Sequence, residues 1–207
     1  PLMLTIAILL RFTGEGEILF KQKRIGKACN PFYLIKFATM LKNSPILGTG
    51  TITIKNDPRI LPTGKFFRKT KINELPQLFN ILFGDMSVIG PRPLTKQAFG
   101  AYSAETQRII GQVRPGLSGI GSIIFRGEED LLASADSSVD FYKNKIAPYK
   151  GELEIWFVNN YSLLNYFKAI IVTLVVVSAP SSQFVWKVFK DLPIPPNELK
   201  ASLNYSP

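Results

Sequence analysis

The stretch Thr70–Leu94, TKINELPQLFNILFGDMSVIGPRPL, is the part of this chain that says most about its fold and chemistry. Four of its apolar residues recur at the helical spacing i, i+3, i+4 and i+7: Leu75, Leu78, Phe79 and Leu82. Pro is well tolerated in a first helical turn, so Pro76 marks the start of the predicted helix. Asn73 and Glu74 then lie at its N-terminus, where exposed N–H groups and the helix dipole keep a carboxylate ionised and attract phosphate.

A stiff loop with one arginine ends this stretch. The chain leaves the helix through Gly84–Ser87 and enters Gly90-Pro91-Arg92-Pro93, where two prolines fix the backbone on either side of Arg92. Taken separately, these features have ordinary explanations as a helix cap, a turn and a rigid loop. Together, a carboxylate, a helix N-terminus and a rigidly mounted guanidinium predict chemistry on a phosphate group.

The positive charge is concentrated in one region. Residues 21–75 hold 12 Lys and Arg against Asp57 and Glu74, and this excess equals the net charge of the whole 207-residue chain, +10. Such a region attracts phosphate in a nucleotide, a nucleic acid or an anionic bilayer.

The use of Cys and His excludes several kinds of site. Cys29 is the single cysteine and the sequence has no His, which excludes a disulfide framework, histidine-based acid–base catalysis and His-ligated zinc. An enzyme of this composition works with carboxylates, Lys, Arg and an oxygen-preferring cation such as Mg²⁺.

Two apolar runs, LMLTIAILL after Pro1 and Ala169–Val177, are too short to span a bilayer. One interpretation is a pair of buried core helices. The other, which the charge distribution favours, is a helix that dips into one leaflet, with interfacial aromatic residues beside Lys and Arg. Because the first run begins directly at Pro1, we expect an N-terminal truncation.

Turn and periodicity signals predict the other elements. Strands are expected at Ile18–Ile25 and Phe32–Phe37 around a Gly26–Pro31 turn, and a long helix at Leu163–Val177. The remaining predictions are an insertion at Leu41–Lys55 containing TITIK, a turn from Asp57 to Gly64, a helix at Leu94–Val113, a loop at Gly116–Gly127, helices at Val139–Lys150 and Glu152–Val158, and an extended segment beyond Pro180.

Six motifs, in consistent order, match one known pattern. They are Pro1 with LMLTIAILL, Gln22-x-Arg24-x-Gly26, Lys36-Phe37 with Thr39-Met40, Thr70–Leu94, Val113–Gly119 and Glu152–Leu174. On these motifs the chain resembles the bacterial monotopic phosphoglycosyl transferases, which are polyprenyl-phosphate sugar-1-phosphate transferases, from Pro1 to about Val177. By this resemblance, Pro1 and the first apolar run form the second half of the family's re-entrant membrane helix.

The resemblance implies a reaction. A sugar-1-phosphate moves from a UDP-sugar to a polyprenyl phosphate and UMP is released, with Mg²⁺ as cofactor and an Asp-Glu pair in which the Asp attacks the β-phosphorus. Phosphoryl transfer needs in-line positioning and charge neutralisation more than proton transfer, so the lack of His is no obstacle.

The implied site residues follow by position. Glu74 is the essential carboxylate and the Mg²⁺ ligand, with Asn73 beside it and Asp85 as a further catalytic candidate. The predicted phosphate-binding residues are Arg92, Arg68, Lys36, Arg24, Arg114 and Arg126. Lys36 and Arg68 could equally be solvated surface charges facing lipid head groups.

The departures from the family pattern leave the mechanism open. Asn73 stands where the family has its nucleophilic Asp, Ala38 replaces the Arg of K-F-R-T-M, and Ile120-Gly121-Ser122 stands in place of Trp-Ala-Gln. An amide is a weak nucleophile. Either Glu74 becomes the nucleophile with Asn73 orienting it, or the lipid phosphate attacks directly over Mg²⁺, or the protein is impaired and only binds UDP-sugar or lipid.

The sequence therefore predicts a helix-rich α+β enzyme with a small β-hairpin and amphipathic interfacial helices. We expect residues 1–13 to be the half-helix, 14–179 the catalytic domain and 180–207 an extended tail. The expected location is the cytoplasmic leaflet of the bacterial inner membrane, on its anionic surface. A basic nucleic-acid-binding module would also explain the charge, but no nucleic-acid-binding motif is present, so no such partner is expected.

Overall fold

The computed structural model describes residues 1–48, 56–133, 137–179 and 182–205. It begins with helix α1 (Leu2–Arg11) and an antiparallel hairpin of β1 (Leu19–Ile25) and β2 (Pro31–Phe37), whose register pairs Leu19 with Phe37. The predicted hairpin is confirmed. Residues 49–55, which include the whole TITIK segment of the predicted insertion, lie outside the described ranges.

The second quarter of the chain supplies the segment that carries Glu74. Helix α2 (Pro62–Lys69) begins inside the region predicted as a turn up to Gly64, because Pro62 suits a first helical turn. A short 3₁₀ turn (Ile72–Glu74) follows, and α3 (Gln77–Leu82) begins after Pro76, as predicted.

A parallel pair of short strands forms the centre of the rest of the fold. Strand β3 (Ser87–Ile89) pairs with β4 (Gly116–Ser118), and α4 (Lys96–Gly100) and α5 (Ala104–Ile110) connect them. A Cβ at Gly116 would lie 2.1 Å from the backbone N of Gly90, so only glycine allows this close approach.

Two predictions for this region are wrong. The single helix predicted at Leu94–Val113 is broken, because the Ser103 hydroxyl accepts from the N–H of Thr106 and starts a new helix there. The loop predicted at Gly116–Gly127 instead contains β4 and helix α6 (Ile120–Ile124), whose buried isoleucines enter the core.

The C-terminal part is helical. It comprises α7 (Glu128–Ala133), α8 (Ser138–Phe141), a π-helical turn (Tyr142–Ile146), α9 (Ala147–Asn159), α10 (Leu163–Ser178), α11 (Phe184–Val188) and α12 (Asn197–Lys200). The predicted break between Lys150 and Glu152 is wrong, since α9 runs through Gly151. The helix predicted at Leu163–Val177 is confirmed as α10.

The segment after residue 180 is not simply extended, as was predicted. Helices α11 and α12 place Val185, Trp186 and Leu199 in the main core, and Leu203, just after α12, also lies there. The division of the chain at residues 13 and 179 remains a prediction.

Two apolar clusters hold the molecule together. The main core combines α6, α9, α10 and α11, whereas a smaller cluster joins α1 and α2 to the hairpin through Ile6, Leu10, Phe37 and Phe67. The helix-rich α+β class is confirmed. Within the described ranges, no helix is both long enough and apolar enough to cross a membrane.

The two apolar runs are only half buried. Helix α1 buries Ile6 and Leu10 but leaves much of its apolar surface exposed, and the same holds for α10. The exposed large apolar side chains of these two helices are Leu2, Leu4, Ile8, Leu9, Leu163, Leu164, Phe167, Ile171, Leu174 and Val177. The interpretation as two buried core helices is therefore wrong.

Candidate active site

Asn80 fixes the position of the Glu74 segment beside the hairpin. Its amide Nδ2 donates to the carbonyl oxygen of Tyr33 at 2.8 Å, and its Oδ1 accepts from the N–H of Ile35 at 3.0 Å. The buried side chain thus bonds to the edge of β2 as a further strand would. This contact holds α3, and the 3₁₀ turn before it, against the strand that carries Lys36.

Glu74 and Lys36 form an ion pair that is largely shielded from solvent. Lys36 Nζ lies 2.9 Å from Glu74 Oε1, and the two side chains are 20% and 19% exposed. Burial alone would raise the pKa of Glu74, but the charges of Lys36, Arg92 and Lys71 together lower it to about 2. Glu74 is therefore a carboxylate at neutral pH, held so mainly by Lys36.

Opposing effects act on the pKa of Lys36. Burial, together with the charges of Arg92 and Arg24, lowers its pKa to about 8 although Glu74 pulls it upward. Four cations, Lys36, Arg92, Arg24 and Lys71, thus lie within electrostatic range of this ion pair, and they exceed the single carboxylate. A cluster with this balance binds a group with several negative charges, such as a diphosphate.

Arg92 stands on the loop after β3, and its side chain is exposed. Its charge influences the pKa of Glu74, Lys36 and Arg24, which lie on three other segments. Arg92 therefore lies within electrostatic range of Glu74. The exposed guanidinium has five N–H donors for a phosphate.

Asn73 is buried next to the ion pair. Its residue is 4% exposed, and its Oδ1 has no hydrogen-bond partner. The preceding Lys71 adopts a left-handed backbone with φ of 60°, which turns the chain sharply out of α2 and into the 3₁₀ turn. An orphaned buried acceptor beside a carboxylate is the kind of atom that an ion or water satisfies.

The other predicted residues lie at different distances from this cluster. Arg24 belongs to it, but its guanidinium is used in contacts with the protein: Nη1 donates to the carbonyl of Pro93 at 3.1 Å and Nη2 donates to Gln22 Oε1. Burial and the charge of Arg92 lower the pKa of Arg24 to about 10. Asp85 accepts from Asn80 Nδ2 at 3.2 Å, so it contacts the residue that positions the Glu74 segment.

Three predicted phosphate-binding residues make other contacts. Arg68 Nη1 lies 3.7 Å from Met40 Sδ, and the guanidinium of Arg114 lies beside Gly84. Arg126 Nη2 donates to the carbonyl of Val177 at 3.4 Å, at the far end of α10. The phosphate-binding role of these three stays a prediction.

Sequence reasoning missed a second group of ionisable residues, on and near α9. Glu154 and Lys150 are 1% and 2% exposed, and Tyr142, in the π-helical turn, is close enough for Arg92 and Arg24 to influence its pKa. Lys150 donates to Glu128 Oε2. The available signal was a pair of charged residues four apart within an apolar helix.

The site has oxygen donors that suit a hard cation. Mg²⁺ takes one or two protein oxygens and completes its shell with water and substrate phosphates. Glu74 offers an ionised carboxylate and Asn73 an unsatisfied amide oxygen, so these two residues fit. Among the described residues, no group of three acidic, Cys or His side chains forms a site of its own.

A model of the bacterial sugar transferase family matches residues 1–180, which include every element of this site. The chain belongs to this family. It is similar to the UDP-glucose:undecaprenyl-phosphate glucose-1-phosphate transferase of Klebsiella pneumoniae, with 36% identity over 68% of the chain and 31% of that protein.

Two other relatives extend the comparison. A UDP-N-acetylgalactosamine-undecaprenyl-phosphate N-acetylgalactosaminephosphotransferase of Aeromonas hydrophila is 34% identical over 79% of the chain and 36% of its own length. The exopolysaccharide production protein PSS of Rhizobium leguminosarum bv. phaseoli is 34% identical over 84% of both chains. The chain thus spans about a third of the first two relatives and most of the third.

Proposed function

We propose that this protein transfers a sugar-1-phosphate from a UDP-sugar to a polyprenyl phosphate, with release of UMP. The observation that carries the proposal is the cluster of Lys36, Arg92 and ionised Glu74, in a chain that belongs to the bacterial sugar transferase family. The names of the Klebsiella and Aeromonas relatives give a UDP-sugar and undecaprenyl phosphate as their substrates, and this supports the same substrate classes here.

In the proposed mechanism Glu74 supplies the attacking oxygen. Its carboxylate forms a bond to the β-phosphorus of the UDP-sugar, and the bond from that phosphorus to the bridging oxygen breaks, so UMP leaves with the electron pair. An oxygen of polyprenyl phosphate then attacks the same phosphorus and regenerates the carboxylate. Glu74 suits this role because it is charged at neutral pH and one fifth exposed, whereas Asn73 is a buried amide.

The cations around Glu74 have separate tasks. Arg92 has an exposed fork of donors that suits the oxygens of the diphosphate, and Lys36 holds the carboxylate in one orientation through its 2.9 Å contact. Mg²⁺, held by Glu74 and Asn73 Oδ1, would supply further neutralisation of the diphosphate charge.

We further propose that the protein lies on the cytoplasmic leaflet of the inner membrane. The exposed apolar residues of α1 and α10, with Phe79, Leu82 and Phe83 on and after α3, offer a surface for the acyl region. The basic segment 21–75 suits anionic head groups. These apolar helices are awkward for a nucleic-acid-binding module, which we do not propose.

The test is a UMP-release assay on the full chain in detergent with Mg²⁺ and undecaprenyl phosphate. UDP-glucose, UDP-galactose and UDP-N-acetylgalactosamine are the first donors to try, because the names of relatives include these three sugars. Sustained release of UMP that depends on the lipid, with one UMP formed for each lipid consumed, supports the proposal. Binding of a UDP-sugar without any turnover would instead make the protein a silent relative.

A mass measurement separates the routes of attack. Incubation with the UDP-sugar alone should give a phosphosugar adduct that maps to Glu74. Turnover with both substrates but no adduct under rapid quench would mean that the lipid phosphate attacks directly.

A further inference from the structure

Four backbone groups of the loop that carries Arg92 are hydrogen-bonded to strands β1 and β4 and to helix α9. The carbonyl of Pro91 accepts from the N–H of Gly116 at 2.8 Å, and the carbonyl of Leu94 accepts from the N–H of Ile25 at 2.9 Å. Between them, the carbonyl of Pro93 and the N–H of Arg92 are bound by side chains. Four such bonds over four residues restrict the movement of a loop that would otherwise be among the more mobile parts of the fold.

Arg24 binds the loop from the side of the hairpin. Its Nη1 donates to the carbonyl of Pro93 at 3.1 Å, while Gln22 accepts from Nη2. Gln22 is two residues away on the same face of β1, so the strand itself fixes the direction of the guanidinium. A guanidinium that is held in this way has two of its nitrogens engaged by the protein.

Glu154 binds the loop from helix α9. Its Oε1 accepts from the N–H of Arg92 at 3.4 Å, and its Oε2 is buried without a partner. Burial raises its pKa to about 7, against the lowering effects of Lys150 and of the contacts with Arg92. A carboxyl group that is 1% exposed and has a hydrogen-bond partner for only one of its oxygens destabilises the folded state. Its presence therefore suggests a functional role.

The fold also makes room for this carboxyl group. A Cβ at Gly121 would lie 2.5 Å from Glu154 Oε1, so a side chain at this position would displace the carboxylate. The motif in which Gly121 stands departs from the usual Trp-Ala-Gln of the family it resembles. The departure and the position of Glu154 are thus linked sterically.

We propose that Arg24 and Glu154 are positioning residues, which hold the Arg92 loop from β1 and from α9 and so fix where its guanidinium meets the diphosphate of the UDP-sugar. Neither side chain need touch substrate for this. The inference rests on the proposed function for its kinetic part. It assigns Arg24 to the support of Arg92 in place of the phosphate contact predicted from the sequence.

The kinetic test compares Glu154→Leu, Glu154→Gln and Arg24→Met with two matched controls, Glu152→Leu on the exposed face of α9 and Lys23→Met on the exposed face of β1. A displacement of about 1 Å in a catalytic group costs up to roughly 100-fold, so kcat should fall about 10- to 100-fold in Glu154→Leu and Arg24→Met, with KM changed less than about threefold. Glu154→Gln keeps an acceptor for the N–H and should stay within about threefold of wild type. The controls should match wild type.

A double-mutant cycle shows whether these residues act through Arg92. In an Arg92→Ala background, Glu154→Leu and Arg24→Met should each lower the residual rate by less than about threefold, because no guanidinium remains to be positioned. The same 10- to 100-fold loss in that background would overturn the proposal. So would wild-type kcat in Glu154→Leu.

Amide hydrogen exchange gives a readout that does not depend on catalysis. In Glu154→Leu the N–H of Arg92 loses its acceptor and should exchange at least about tenfold faster, while the N–H of Gly90, bonded to Ser118, should not change. Unchanged exchange at Arg92 would overturn the proposal even if no UDP-sugar were turned over. Faster exchange in a protein without transferase activity would refute the proposed function alone.

Discussion

The substitution Glu74→Gln tests the site most directly, because it removes the charge of the carboxylate and keeps its shape. We expect UMP release to fall by at least about 10³-fold, equivalent to roughly 4 kcal/mol of transition-state stabilisation. An amide can neither attack phosphorus effectively nor hold a cation as a carboxylate does. The loss should be equal for each UDP-sugar that the wild-type protein accepts.

The same substitution should leave the protein folded. The pKa of Glu74 is lowered from 4.5 to about 2 and that of Lys36 from 10.5 to about 8. The first displacement favours the folded state at neutral pH and the second opposes it, so the pair contributes little net stability.

Without Glu74, Lys36 can release its proton, and this limits the cost of leaving it buried. We expect the free energy of unfolding to fall by less than about 2 kcal/mol, which is a decrease in Tm of less than about 8 °C for a chain of this size.

The assay measures UMP release and thermal unfolding side by side, with Glu105→Gln on the exposed surface of α5 as the matched control. The control should behave as wild type in both measurements. A folded Glu74→Gln protein with full activity would refute the assignment of this site. An unfolded one would show that the ion pair is structural and that the two pKa displacements do not offset each other.

Four further predictions concern the same region and its surroundings. Arg92→Lys should lower kcat about tenfold or more, roughly 1.4 kcal/mol, because an ammonium cannot reproduce the planar fork of donors. Asn73→Asp adds a buried carboxylate beside Glu74, and this like charge should raise the pKa of the pair and slow the reaction. Between pH 8 and 10.5 the folded protein has released the Lys36 proton and the unfolded chain has not, so stability should rise with pH over this range in wild type and not in Lys36→Met. The protein should partition with membranes and need detergent, with both termini on one side, because α1 and α10 have 10 and 16 residues and a spanning helix needs about 20.

Each of these has a result that would contradict it. Wild-type kcat in Arg92→Lys would make Arg92 a structural residue. A faster Asn73→Asp protein with its adduct on residue 73 would move the nucleophile to that position. Identical stability profiles for wild type and Lys36→Met from pH 8 to 10.5 would contradict the lowered pKa of Lys36. Labelling that placed the two termini in different compartments would exclude the topology.

Local sequence signals predicted the elements on which the site is built. Pro76 and the apolar spacing after it predicted α3, and the alternation around Gly26–Pro31 predicted the hairpin. These predictions succeeded because each depends on contacts between residues a few positions apart. The break at Ser103 and the short helix α6 were missed, because a cap and a set of buried isoleucines do not stand out in a glycine- and serine-containing stretch.

Glu74 and Arg92 were predicted to act on a phosphate together because they share one short segment, but the part played by Lys36 was only one of two alternatives. Lys36 could have been a surface charge, and no periodicity places a lysine of β2 against a turn 38 residues later. Asn80 decides this, by bonding α3 to the edge of β2. The ionised state of Glu74 was predicted from the helix dipole, whereas its main cause is the charge of Lys36.

The sequence by itself determined the chemistry that is available: one region with all the excess positive charge, no histidine, and a carboxylate and an arginine on a short stiff segment. Only the tertiary structure decided which of the many cations surround Glu74, that Arg24 and Glu154 hold the Arg92 loop, and that α1 and α10 leave half of their apolar surface exposed. Charge and local periodicity are properties of neighbouring residues. Desolvation and ion pairing depend on segments that meet only when the chain folds, and these set the pKa of each group in the site.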